Sequence, residues 1–113
     1  MAETARLICD SAELADGGKG VRFEISTASG QQSAFVVRHC GRVYGYLNRC
    51  AHIGIELDWQ PGEFFDDSGL YLTCTTHGAT YLPDNGKCIA GPCRGARLTQ
   101  LDVFEHNGGI YLK

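Results

Sequence analysis

Long hydrophobic runs are missing from this 113-residue sequence, and so are clusters of basic charge. No window approaches the roughly 18 consecutive apolar residues of a membrane-spanning helix. Near the N-terminus the only apolar patch is residues 7–9, too short for the core of a secretory signal. These absences lead us to expect a cytoplasmic protein with no membrane partner. The ten Lys and Arg residues are scattered among thirteen Asp and Glu, giving a formal charge of −3. Nucleic-acid binding relies on clustered cations, so no nucleic-acid partner is expected.

Cysteine, by contrast, is plentiful, with six residues. That number would suit a disulfide scaffold in an exported chain. Without an export signal it points instead to metal binding or buried thiols.

Length and composition fit one globular domain over residues 1–113. Fifteen glycines punctuate short runs rich in Val, Ile, Tyr, Phe and Leu, the texture of an all-β protein with tight turns. Helical periodicity is confined to one turn at residues 11–14, capped by Asp10 or Ser11. Strands are expected at residues 6–9, 21–26, 34–38, 43–47, 70–73, 80–82, 87–89, 98–105 and 110–112. Two of the connections read as hairpin turns, His39-Cys40-Gly41-Arg42 and His106-Asn107-Gly108-Gly109. Cys9 falls in a strand and is expected in the core.

Residues 50–93 break this texture. They hold four of the six cysteines, two of the four histidines and all three prolines, which suggests a site built from loops on a β scaffold. Within them stand two Cys/His pairs, Cys50-Ala51-His52 and Cys74-Thr75-Thr76-His77. Two loops carrying these pairs can supply two thiolates and two imidazoles to one centre. Zinc accepts that donor set, although its structural sites usually place two cysteines first and two histidines last. Here the order alternates. A [2Fe–2S] cluster with two thiolates on one iron and two imidazoles on the other explains the alternation, since each loop then serves both irons.

The wider pattern resembles the Rieske ferredoxin family: C-x-H, a gap, C-x-x-H-G, an aromatic, a polar turn with Gly, then Gly-Pro. The matching residues are Cys50 and His52, then Cys74, His77 and Gly78, then Tyr81, Asp84-Asn85-Gly86 and Gly91-Pro92. The resemblance implies stacked antiparallel sheets with a small cluster-binding subdomain over residues 48–93. Cys50 and Cys74 would ligate the inner iron, and His52 and His77 the iron that is reduced. Tyr81 would donate a hydrogen bond near the cluster, and Pro92 would shield it from water. On this resemblance the chain is a one-electron carrier beside a flavin reductase and a terminal oxygenase or reductase. At this length it lacks the separate catalytic domain of such an oxygenase, so it is not expected to turn over substrate alone. The alternatives are the small subunit of a multi-component reductase of the nitrite reductase kind, and a zinc-stabilised interaction module. A redox sensor lacks an effector segment here.

The departures from the family pattern also carry expectations. Ile55 and Thr76 stand where the respiratory members carry a disulfide. Ala79 replaces the Ser that donates a hydrogen bond to a cluster sulfur in those members. Each lost donor leaves charge on the reduced cluster uncompensated, so the expected potential is roughly −150 mV, at the low end of the Rieske range. Reduction would raise the pKa of the two histidine ligands, so the potential would fall with rising pH.

The remaining features have plainer readings. Cys88 and Cys93 are expected as small buried residues beside the Gly-Pro loop, with a disulfide or metal ligation as the alternatives. His39, Cys40 and His106 are read as solvent-exposed turn residues. In residues 58–67 the aromatics Trp59, Phe64 and Phe65 are expected to cover the core while Asp58, Glu63, Asp66 and Asp67 stay solvated. A docking surface is the alternative there.

Overall fold

Four consecutive residues, Ala34, Phe35, Val36 and Val37, are completely buried. A strand turns successive side chains to opposite faces, so such a run must be covered on both sides. The computed structural model, which describes residues 5–28, 30–49, 56–58, 62–74, 78–91 and 95–113, shows how this is done. Among the described residues, ten strands form three antiparallel sheets: β1 (Arg6–Asp10), β2 (Val21–Thr27), β3 (Gly30–His39), β4 (Arg42–Leu47), β5 (Leu72–Cys74), β6 (Ala79–Tyr81), β7 (Cys88–Ala90), β8 (Gln100–Leu101), β9 (Val103–His106) and β10 (Gly109–Leu112). Their orders are β1-β10-β9, β2-β3-β4-β8 and β5-β6-β7.

Strand β3 joins the three sheets. Val36 packs with Cys9, Leu14 and Ile110 toward the first sheet. Phe35 and Val37 turn the other way, onto Tyr46, Leu57, Phe64, Leu72 and the small third sheet. Burying side chains of this size contributes about 1.5–3 kcal/mol each, so one strand anchors both neighbours. The Val103 side chain of β9 packs directly on the backbone of β4 at Gly45, where a Cβ would lie 2.7 Å from Val103 Cγ1.

Both expected hairpin turns are present. Cys40 and Gly41 have φ of 52° and 80°, and Asn107 and Gly108 have 49° and 80°. Positive φ at both central residues is the turn that matches the twist of paired strands. The pairs His39↔Arg42 and His106↔Gly109 close them. The single helical turn is a 3-10 turn, Ser11–Glu13, capped at Asp10, whose N–H donates to the Glu13 carboxylate at 3.0 Å.

Two strand expectations need correction. Residues 98–105 are not one strand: β8 pairs with β4, and after Asp102 β9 pairs with β10 in another sheet. The chain changes layers there, and the Asp102 carbonyl accepts the Lys113 N–H at 2.9 Å. The strand expected from residue 70 starts at Leu72 instead. Residues 66–71 are folded into a turn, with the Asp66 N–H on the Tyr71 carbonyl and the Gly69 N–H on that of Asp66.

Arg38, on β3, clamps the two larger sheets together. It donates to both oxygens of Glu105 on β9, at 3.0 and 2.7 Å, and to the Leu14 carbonyl at 2.9 Å. The guanidinium holds the Glu105 carboxyl down to about 2. Burial, with help from Glu13 and Asp10, pushes the Cys9 thiol up to about 11, so this core thiol is neutral and unreactive.

Candidate metal centre

The first Cys/His box follows β4. Asn48 and Asp58, which flank it, are both buried and hydrogen-bonded to each other, Asn48 Nδ2 donating to Asp58 Oδ1 at 2.8 Å. Asn48 Oδ1 accepts the Leu57 N–H at 2.8 Å. Asp58 Oδ2 accepts the Gly62 N–H at 2.9 Å and faces Arg22 Nε at 3.6 Å. The two sides of the loop are thus closed by a buried polar brace. Buried polar groups persist when every atom has a partner, and losing one partner costs about 1–3 kcal/mol. Arg22 also pairs with Glu56 at 2.7 Å, on the returning side of the loop.

This brace corrects the expectation that the acids of residues 58–67 are all solvated. Glu63 and Asp67 are exposed, but Asp58 is interior because Asn48 and Gly62 satisfy it. Phe64 covers the core as expected, stacked on Phe35 with ring centroids 3.9 Å apart. Trp59 lies outside the described residues.

The second box ends β5. Leu72 and Cys74 are buried while Thr73 between them is not. Across the hairpin, Cys74 pairs with Ala79 and Leu72 with Tyr81. Cys74, Ala79 and Tyr81 are completely inaccessible and share one core with Leu57 and Phe64. The turn is closed by the Gly78 N–H donating to the Cys74 carbonyl at 2.7 Å. Gly78 has φ of 75°, a conformation in which glycine carries no steric penalty.

The third loop begins at Gly91, where a Cβ would lie 2.7 Å from Ala79 Cα. The chain leading into Pro92 therefore crosses directly over the start of β6. Upstream, the turn before β7 is held by Tyr46, whose hydroxyl donates to the Pro83 carbonyl at 2.5 Å. A Cβ on Gly86 would meet the Tyr46 ring at 2.8 Å. Burial raises the Tyr46 phenol above its ordinary range, so it stays a neutral donor.

Of the expected site residues, the structure describes Cys74 and Tyr81, both buried side by side in one hairpin. Cys50, His52, His77 and Pro92 lie outside the described residues, as does Cys93. Among the described residues no three His, Cys, Asp or Glu side chains converge on a metal position. Cys88 is buried, as expected, with its thiol 3.2 Å from the Ala90 carbonyl. Cys40 and His106 are exposed, whereas His39 is half-buried against the Phe65 ring at 6.1 Å. Sequence reasoning missed Asn48 and Tyr46. An Asn two residues before the first box and an Asp six residues after it were the available signal for the brace.

Known proteins agree with this geometry. No curated relative matches the sequence. A ferredoxin from Sphingomonas yanoikuyae B1 superposes with a TM-score of 0.76 at 21% identity, over 97% of this chain and 98% of its own. The ferredoxin of carbazole 1,9a-dioxygenase from Nocardioides aromaticivorans IC177 gives 0.72 at 22%, over 97% of each chain. The terminal oxygenase of carbazole 1,9a-dioxygenase from Novosphingobium sp. KA1 matches at 0.73 and 29%, over 96% of this chain but only 28% of that one. The family model of the Rieske [2Fe-2S] domain matches residues 4–105. With only residues 1–3 and 106–113 outside that match, this chain belongs to the Rieske [2Fe-2S] domain family.

Proposed function

We propose that this chain is a cytoplasmic one-electron carrier holding one [2Fe–2S] cluster through Cys50, His52, Cys74 and His77. Residues 48–93 form its cluster-bearing part. The supporting observation is that the exit of the first box and the ligand of the second meet in one core. Leu57 and Cys74 are both fully buried in the same cluster of side chains. Loops fixed at their bases in this way can present two sulfur and two nitrogen donors at a fixed spacing, and the alternating Cys-His order suits a cluster of two irons. When bound, the cluster supplies a single-electron couple.

The chain's own residues do the rest. Cys74 presents its thiolate from the dry side, beneath the hairpin. The Asn48–Asp58 brace limits how far the first loop can move when the charge at the site changes. Gly91 rests on Ala79 at the start of β6, and Pro92, the next residue in sequence, would shield the cluster from water. Tyr81 and Ala79 line the buried side of the same hairpin; Tyr81 can offer a hydroxyl donor there and Ala79 offers none, and that difference tunes the potential. The two ferredoxins share this fold over 97–98% of their own length, which supports the carrier reading. The redox partners are a flavin reductase on one side and a terminal oxygenase or reductase on the other. An optical redox titration of the purified protein tests this. A reversible couple with the slope of one electron is expected, and an absence of any reversible couple would refute it.

A further inference from the structure

Two cations sit directly opposite one another at the edge of the small sheet. Lys87 and Arg97 form an antiparallel bridge, flanked by the Cys88 N–H on the Ala96 carbonyl at 2.8 Å and the Gly95 N–H on the Cys88 carbonyl at 3.3 Å. Residues opposed in this way point to the same side, and like charges so placed are unfavourable. Both side chains are exposed, and among the described residues neither comes within 4 Å of a carboxylate. Asp84 and Asp102, the acids nearest in sequence to Lys87 and Arg97, pair with neither.

The alternation of β7 completes the patch. Cys88 points into the core, so Lys87 and Ile89 lie together on the outer side. Ile89 is one of only three exposed large hydrophobic residues among those described, at 37% exposure. An exposed apolar residue beside two uncompensated cations is the composition of a protein-binding surface for a complementary, acidic partner. A nucleic-acid or lipid surface would call for more cations than two. Two residues beyond Ile89, Gly91 rests on Ala79, which puts the patch next to the loop that leads into Pro92.

We infer that Lys87, Ile89 and Arg97 form the docking patch for an acidic redox partner. This rests on the electron-carrier reading and names the chemistry of that partner. The test titrates a deca-glutamate peptide into the labelled holo-protein at low salt while amide shifts are followed. Shifts at Lys87, Ile89 and Arg97 are expected, lost in K87E/R97E and kept in R42E, whose charge lies on another hairpin. Amide dispersion of each variant reports folding. In parallel, electron transfer to the trianion hexacyanoferrate(III) should slow with added salt, and in K87E/R97E it should accelerate.

Peptide shifts scattered over all cations, or unchanged in K87E/R97E, would overturn the patch. So would tighter binding of a ten-base oligothymidylate at the same residues, which would assign it to nucleic acid. A protein that binds the peptide at the patch but shows no reversible couple would refute the electron-carrier reading and leave the acidic-partner surface standing. A redox-active protein without peptide shifts would do the reverse.

Discussion

The two larger sheets and the small sheet are held together in different ways. The larger pair has strands of up to ten residues, continuous pairing between β2, β3 and β4, and the Arg38–Glu105 clamp between layers. The small sheet has three strands of three residues each. Ladders that short do not hold a structure by themselves. Its position comes from side-chain anchors: Phe64 stacked on Phe35, the Tyr46 hydroxyl on Pro83, and the Asn48–Asp58 brace. Extended pairing makes the scaffold. A few buried contacts hold the small sheet and the residues that flank the two boxes.

This difference predicts where substitutions act. The largest effect is expected for Cys74→Ala, which removes a proposed cluster ligand: bound iron and visible colour should fall to background. Cys88→Ala, two strands away across β6 but in the same core, should keep both. If the two variants lose iron equally, burial in this core rather than ligation governs cluster retention.

Phe64→Ala should cost about 3–5 kcal/mol by opening a cavity against Phe35. The loss should appear first as release of the cluster and only later as unfolding of the larger sheets, if the small sheet is held from outside. Simultaneous loss in circular dichroism and visible absorbance would mean that the two regions unfold as one.

Asn48→Ala leaves Asp58 and the Leu57 N–H short of a partner, a loss of about 2–3 kcal/mol. Chemical denaturation of the holo-protein measures it, and Asn48→Asp should not rescue, because it sets two carboxylates against each other. Tyr46→Phe removes one hydrogen bond, worth about 1 kcal/mol, and should leave the iron content unchanged.

The smallest effect concerns the scaffold clamp. Glu105 titrates at about 2 in the folded protein against an ordinary 4.5. A depressed carboxyl stabilises fully above its unfolded value and loses that contribution as pH falls from 4.5 through 2. The stability gap between the wild type and E105Q should therefore close over that range. Much of the clamp is open to water, so the gap itself is small.

The sequence-legible features were those with local signatures. Asn107-Gly108 and Cys40-Gly41 announced their hairpins through the need for positive φ, and the alternation of Val21, Phe23 and Ile25 announced β2. The paired boxes were legible because ligand type and spacing are chemical constraints on neighbouring residues. What was not legible depends on distant partners. Asp58 looks like a surface acid until Asn48, ten residues earlier, is seen to donate to it. Tyr46 looks like a strand aromatic until its hydroxyl reaches Pro83, 37 residues on. The break at Asp102 is likewise set by two sheets that the local pattern of residues 98–105 does not encode.

The most direct test of the central claim is the electron paramagnetic resonance spectrum of the dithionite-reduced protein, with iron and sulfide measured on the same sample. The account predicts a rhombic signal with an average g below 2 from a red-brown protein containing equal iron and sulfide. A colourless, spectroscopically silent protein that carries zinc would contradict it and support a structural metal site instead.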